Sequence, residues 1–546
     1  MTADESPLGR GAGANAGVAS RALHSGFLRS REQFPDRAAL EVDGSTLTYD
    51  ELHARAVAIA AALDRAAVGD EPPLTAVYAY RTATAFAGVL AALYRGHGYV
   101  PLNRTFPPER TAALLRRVGC RAMVVDEASS AHLDTVLDGF DGTIALVLPD
   151  AEDVSALAAR WPQHVVIGSG DLADAPEWEP RDAAADAIAY LLFTSGSTGV
   201  PKGVMVSHAN VRHFLDVMLE RYGIDENDRL SQTFDMTFDL SVFDMFMAWE
   251  RGACVCCLPQ SALLQPARFI QESALSVWFS VPSLALLMRR LGMLKPDRYP
   301  TLRWSLFCGE PLPVDVANAW AEAAPASVVE NLYGPTELTI ACTLYRWERE
   351  RGEREARHGI VPIGAPYPGM TVLVADGELR PVAPGGEGEL LLSGPQVTLG
   401  YWQDEEKTRA AFVRPPETSE LHYRTGDLVR APVGDEPLLY VGRIDHQIKV
   451  NGYRVELGEV EAALREASGA AEVVALGWPR TESGASGVAA FVQGADVDSE
   501  AIRTRLAETL PYYMVPRTIT AIEEFPLNAN GKYDRNLLVR LLESGA

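Results

Sequence analysis

No apolar run in this chain reaches the roughly 18 residues that a membrane span requires, so a membrane partner is not expected. Cysteine is scarce, six in 546 residues, which excludes a disulfide framework. Cys254 and Cys257 do form a Cys-x-x-Cys spacing around Cys256. They lie in the strand-like apolar run Ala253-Cys-Val-Cys-Cys-Leu258, with no second pair and no nearby His, and read as buried thiols rather than a metal or redox site. Basic residues are in deficit: 49 Lys and Arg face 73 Asp and Glu, a net charge of -24. With no basic surplus to neutralise phosphates, nucleic acid is excluded as a partner. Residues 1–23 are rich in Gly, Ala and Ser and lack the apolar core of a signal peptide, so a disordered tail is expected. These absences point to a cytoplasmic protein. Neither an internal repeat nor a coiled-coil heptad is visible.

What is present fits a soluble protein of more than one domain, 47% hydrophobic and 22% charged. Helical and strand-like segments alternate through the first ~440 residues, the pattern of layered α/β structure with parallel sheets. Asp50 to Leu63 carries a helical apolar stripe, while Ala122–Asp126, Thr143–Leu148 and Val165–Ile167 read as short buried strands. A boundary is expected near Gly442-Arg-Ile-Asp-His446. Beyond it, a helix from Gly458, strands near Val473 and Gly487 and a helix from Asp498 suffice for a small α+β domain. The expected division is a tail (1–23), a large domain (24–443) and a small mobile domain (444–546).

The segment richest in chemistry is Phe193-Thr-Ser-Gly-Ser-Thr-Gly-Val-Pro-Lys-Gly203, which follows the buried-strand run Ile188–Phe193. Its hydroxyls and glycines leave backbone N–H groups free to wrap a phosphate, with Lys202 as a nearby point charge. It is not a Walker A loop, because the Gly-x-x-x-x-Gly-Lys-[Ser/Thr] spacing is absent. By itself it indicates a nucleoside triphosphate and leaves the reaction open. Four further segments narrow the chemistry. Asn331-Leu-Tyr-Gly-Pro-Thr-Glu337 offers an aromatic ring, a hydroxyl and a carboxylate suited to Mg²⁺. Tyr423-Arg-Thr-Gly-Asp-Leu428 places a carboxylate on a tight turn, suited to ribose hydroxyls. Gly442-Arg-Ile-Asp445 sets a cation beside an acid, and Lys532 follows a glycine turn in the small domain.

In this order the segments resemble the adenylate-forming superfamily of acyl-CoA synthetases, luciferases and peptide-synthetase adenylation domains, over roughly residues 24 to 537. The likeness is closest to amino-acid adenylation domains, carried by Leu47-Thr-Tyr-Asp-Glu-Leu52, by Gly388 to Trp402 and by Gly442 to Glu459. The resemblance implies that Thr194, Ser195, Gly196, Ser197, Thr198, Gly199 and Lys202 hold the β- and γ-phosphates of ATP. It places Gly309, Glu310, Pro311, Asn331 and Tyr333 around adenine, and Thr336 and Glu337 at the α-phosphate and Mg²⁺. Asp427 and Arg443 become ribose contacts, Asp445 the hinge, and Lys532 the bridge between substrate carboxylate and α-phosphate. Asn451 departs from the Arg more usual at that position in the family.

The same resemblance assigns Asp239 to the α-ammonium of an amino acid. Leu240, Phe243, Ser280, Leu306, Cys308, Leu332, Ile340 and Ala341 would line the side-chain pocket. No charged residue is among them, so a charged side chain would be left unpaired. Alanine is the expected substrate, then serine, cysteine, glycine or proline, with an aryl-glycine-like acid as a minority reading. No carrier-type Gly-Gly-[His/Asp]-Ser segment or condensation signature is visible, so a free-standing enzyme acting on a separate phosphopantetheinylated carrier protein is expected, with an MbtH-like helper protein as a possible partner. The alternatives are transfer to the amine of a carrier-bound amino acid, or an acyl- or aryl-CoA ligase. A binding module that senses nucleotide without turnover is the reading from outside enzymology.

Overall fold

The computed structural model describes residues 21–544 except 67, 70–71, 173–177, 197–199, 446, 471, 482–483, 495–496 and 527–532. Two large sheets organise most of the chain. One has seven strands, and Ile188–Thr194 and Lys202–Ser207 form its antiparallel edge pair; the other strand pairs are parallel. The other has nine strands, parallel from Ala38–Val42 through Cys254–Cys257, Arg229–Gln232, Val277–Ser280 and Trp304–Phe307 to Val328–Tyr333. The largest apolar cluster joins residues of both sheets with those of the helices Ala83–Tyr94 and Leu240–Trp249. All ten residues of Leu240–Trp249 are buried, as expected of a helix enclosed by protein on every side.

Local signals agree with these elements. The predicted helix after Leu47-Thr48 spans Tyr49–Arg65, and its capping box joins Thr48 and Glu51. Such a cap contributes typically about 1 kcal/mol. The strands expected around Ala122, Thr143 and Val165 are Ala122–Val125, Ala145–Leu148 and Val165–Gly168. The cysteine run is the fully buried strand Cys254–Cys257, and no disulfide joins any of the six buried cysteines. Ala22 and Leu23 are already buried, and the Leu23 N–H donates to His208 Nδ1 at 2.9 Å. Packing therefore begins just before the expected end of the tail. A second departure is the five-stranded antiparallel sheet of Thr371–Ala375, Glu387–Ser393, Phe412–Val413, His422–Arg430 and Leu439–Arg443. The α/β alternation does not extend through this region, because hairpin connections replace helical crossovers.

After Arg443 the chain enters a small C-terminal domain with its own two apolar clusters. A three-stranded sheet (Val473–Gly477, Val488–Gln493, Thr518–Ile522) and a four-stranded one carry the helices Leu457–Ser468, Ser499–Thr509 and Arg535–Ser544. The hairpin Gln447–Val450 and Tyr453–Glu456 turns at Asn451-Gly452, both with positive φ, the signature of a tight Asn-Gly turn. A Cβ on Gly452 would lie 2.6 Å from Val281 Cγ1, so glycine permits this close approach to the large domain.

Candidate active site

Three parallel strands end side by side: Val277–Ser280, Trp304–Phe307 and Val328–Tyr333. The carboxyl ends of such strands are where open α/β sheets bind ligands. Gly309 to Pro311 follow the second and Gly334 to Glu337 the third, while the phosphate-loop segment leaves the neighbouring sheet at Thr194. Gly309, Glu310, Pro311, Asn331, Tyr333, Asp427 and Arg443 line one cavity of about 460 Å³. Asp427 lies opposite Arg443 in the antiparallel sheet, which sets their 2.8 Å ion pair. Tyr333 donates its hydroxyl to the other Asp427 oxygen. Arg443 Nε also donates to Asp445 Oδ1 at 2.8 Å, and Asp445 accepts from the Gln447 N–H at 3.1 Å. The expected hinge therefore stands between the last strand of the large domain and the first of the small one. Asn331 is turned to structure, donating to the Pro362 carbonyl at 2.9 Å.

Of the phosphate loop, Thr194, Ser195, Gly196 and Lys202 are described, whereas Ser197, Thr198 and Gly199 lie outside the described residues. The Thr194 hydroxyl is buried and has no partner among the described residues, as a site for an anionic oxygen requires. A Cβ at Gly196 would fall 2.0 Å from the Val200 carbonyl oxygen, which only glycine avoids. The Lys202 ammonium sits 5.2 Å from the Tyr401 ring centroid. Burial and the neighbouring Arg454 charge lower its pKa.

Glu337 is wholly buried on the short helix Thr336–Leu338. Its carboxylate accepts from Tyr401 at 2.8 Å and pairs with Arg454 at 2.8 Å. Burial pushes the Glu337 pKa up, but the Arg454 and Lys202 charges outweigh it and hold the group at about 2. A permanently ionised carboxylate fits Mg²⁺, a hard cation that takes oxygen ligands. No group of three or more His, Cys, Asp or Glu able to hold a metal ion is found among the described residues, so phosphate oxygens and water would complete any shell. Lys532 lies outside the described residues.

Asp239 is buried immediately before the helix Leu240–Trp249 and borders a second cavity of about 100 Å³. Thr336 hydrogen-bonds to it, and the Ile340 N–H donates to Oδ2 at 3.3 Å. Burial raises its pKa to about 6 despite those bonds. A carboxylate so placed is under-compensated and suited to receive an ammonium. Leu240, Phe243, Leu306, Cys308, Leu332, Ile340 and Ala341 all belong to the largest buried apolar cluster, and of these Leu240 and Cys308 line the same cavity as Asp239. Ser280 stands apart. Its hydroxyl accepts from Trp278 Nε1 at 2.9 Å, on the face of the strand turned to the other core. Strand alternation puts Phe279 on the pocket side instead, with its ring 5.0 Å from that of Phe243.

Sequence reasoning also passed over three contributors. Arg454, within the Gly442–Glu459 motif, reaches the Glu337 carboxylate, and Lys449 of the same hairpin borders both cavities. Gln396, wholly buried, donates to the carbonyls of Leu338, Thr339 and Ala341 at 3.1, 3.1 and 2.7 Å. It braces Thr339 and Ile340, whose φ values of 58° and 71° are strained for β-branched residues.

The AMP-binding enzyme model matches residues 27–402 and the AMP-binding enzyme C-terminal domain model residues 459–532. The chain belongs to the AMP-binding enzyme family. Within that family it is 34% identical over 533 residues to the L-proline--[L-prolyl-carrier protein] ligase of Pseudomonas fluorescens, covering 95% of this chain and 99% of that one. It is 33% identical over 522 residues to tyrocidine synthase 3 of Brevibacillus parabrevis, 94% of this chain but only 7% of that protein. The Vibrio cholerae adenylation domain AlmE, solved with glycyl-adenosine-5'-phosphate, superposes with a TM-score of 0.86 at 31% identity, over 98% of this chain and 100% of that one. The fold, a large N-terminal domain with a small C-terminal one, is that of adenylation domains, and the chain spans less than half the length of several of the curated relatives it matches. Among the described residues no helix is long and apolar enough to cross a membrane.

Proposed function

We propose that the protein activates a small neutral amino acid as aminoacyl-AMP, alanine first and then glycine, serine, cysteine or proline. The aminoacyl group then passes to the phosphopantetheine thiol of a carrier protein. The observation that carries this reading is the buried Asp239 carboxylate, which borders the 100 Å³ cavity together with Leu240 and Cys308. The Phe243 and Phe279 rings meet at 5.0 Å in the apolar core, and the eight residues expected to line the side-chain pocket include no charged one. A glycyl adenylate in AlmE and a proline ligase among the relatives support the small end of the amino-acid range.

In the first step a substrate carboxylate oxygen bonds to the α-phosphorus of ATP, and the α-phosphorus to bridging-oxygen bond breaks to release pyrophosphate. Asp239 holds the ammonium, Thr336 lies beside it, and the Thr194–Lys202 loop and Lys532 carry the charge of the phosphates. Mg²⁺, held by Glu337, would supply charge neutralisation of the phosphate oxygens. No general base is required, because the substrate carboxylate is ionised at pH 7. In the second step the thiol sulfur bonds to the acyl carbon, AMP departs with the electron pair, and the thiol proton passes to solvent. The 100 Å³ cavity supports that route. Its lining takes Phe106, Arg110, Asp239 and Cys308 from the large domain and Tyr513 from the small one. ATP–pyrophosphate exchange dependent on alanine or a comparable amino acid tests the reading, and thiol-dependent AMP release with CoA in place of a carrier would point to a CoA ligase.

A further inference from the structure

The small domain engages the phosphate loop directly. Ser195 Oγ donates to the Arg454 carbonyl at 2.8 Å and accepts from the Glu456 N–H at 3.1 Å. One helical turn on, Glu459 presents a carboxylate to the Gly196 N–H at 3.3 Å. Its other oxygen pairs at 2.8 Å with Arg110, on the large-domain helix Pro108–Val118. Glu459 is 2% exposed, so this is an ion pair enclosed between the two domains. These contacts use the groups that a phosphate loop offers to its ligand: a serine hydroxyl and a backbone N–H of a glycine turn. An anion accepting from that N–H is what pyrophosphate would be.

We propose that Glu459 is a positioning residue for the transfer step, docking on Gly196 and Arg110 in the place that pyrophosphate vacates. Pyrophosphate and the docked small domain then exclude one another, since both need the Gly196 N–H and both are anionic. The ion pair with Arg110 gives the docked arrangement its charge match, and loss of pyrophosphate becomes the condition for forming it. This inference rests on the proposed adenylation and thiol transfer.

The test compares the wild type with Glu459→Gln and Arg110→Gln. Enzyme carrying the aminoacyl-sulfamoyl-adenosine analogue of its best exchange substrate is titrated with pyrophosphate by calorimetry. Capture of enzyme-bound aminoacyl-AMP by pantetheine is followed by AMP release. Both variants should bind pyrophosphate about tenfold more tightly than the wild type, form thioester about tenfold more slowly, and show no fall in ATP–pyrophosphate exchange. Retained exchange also reports that the variant is folded; should one variant fail to fold, the other decides alone. Wild-type pyrophosphate affinity and capture rate in a folded variant would overturn the role of Glu459. Absence of exchange in the wild type with every amino acid would instead overturn the proposed function.

Discussion

The Ile340 N–H donates to Asp239 Oδ2 at 3.3 Å, from a backbone held at a φ of 71°. A β-branched residue adopts that conformation only under constraint, and here the constraint aims a donor at the Asp239 carboxylate. Asp239→Asn should keep the fold but lose the counter-charge for the α-ammonium, raising the amino-acid KM in exchange by about 10²-fold. The stability effect has the opposite sign. The folded pKa of about 6 lies above the ordinary 3.8, so stability falls as pH rises between those values, by roughly 2–3 kcal/mol. Thermal melts at pH 7.5 without substrate should therefore show the asparagine variant to be the more stable protein. A lower melting temperature would contradict the burial argument.

Glu337 behaves oppositely. Its folded pKa of about 2 lies below the usual 4.5, so its contribution is complete above pH 4.5 and is lost as pH falls toward 2. Glu337→Gln should lower exchange by 10²- to 10³-fold, as loss of one charge contact at a transition state typically does. Excess Mg²⁺ should rescue part of that loss. Exchange at wild-type level in limiting Mg²⁺ would remove Glu337 from the metal's shell.

Lys532→Ala addresses the adenylation half-reaction. The expected outcome is loss of most amino-acid-dependent exchange, about 10²-fold or more, with nucleotide binding retained. Near wild-type exchange would reject that lysine as the bridge between carboxylate and α-phosphate.

Asp445→Pro addresses the hinge. Asp445 accepts from the Gln447 N–H and pairs with Arg443, at the join between the last large-domain strand and the first small-domain strand. Proline restricts the backbone there and removes the carboxylate. Exchange should persist while transfer to a thiol slows at least tenfold, a gating effect rather than a chemical one. Equal loss of both half-reactions would count against a hinge role.

Motif-bearing parts of the site were legible because their residue types are few and their order is specific. Tyr333, Asp427, Arg443 and Glu310 line one cavity, and Glu337, expected at the α-phosphate and Mg²⁺, is a buried carboxylate that the Arg454 and Lys202 charges hold ionised. What escaped depends on register and on long-range packing. Ser280 and Phe279 differ by one position on a strand, and one position exchanges the faces, which composition alone does not resolve. Gln396 sits in a recognised segment, yet its bonds reach a loop 55 or more residues away. Nothing local in the sequence announces that brace. The antiparallel sheet of Thr371 to Arg443 was hidden for a related reason: its strands are partnered by hairpins and long returns, and each alone resembles a strand of an α/β layer. Arg454 lies inside the recognised Gly442–Glu459 segment, and only the packing of the small domain on the large one brings it to Glu337.

ATP–pyrophosphate exchange across a panel of amino acids bears most directly on the claim that Asp239 and its apolar wall select a small, neutral, α-amino acid. Alanine, or another member of the set glycine, serine, cysteine and proline, should give the highest kcat/KM, with neighbours one methylene apart reduced by about 10- to 200-fold. Propionate, which lacks the ammonium, should give none. Strong exchange with aspartate, lysine, a fatty acid or propionate would contradict it.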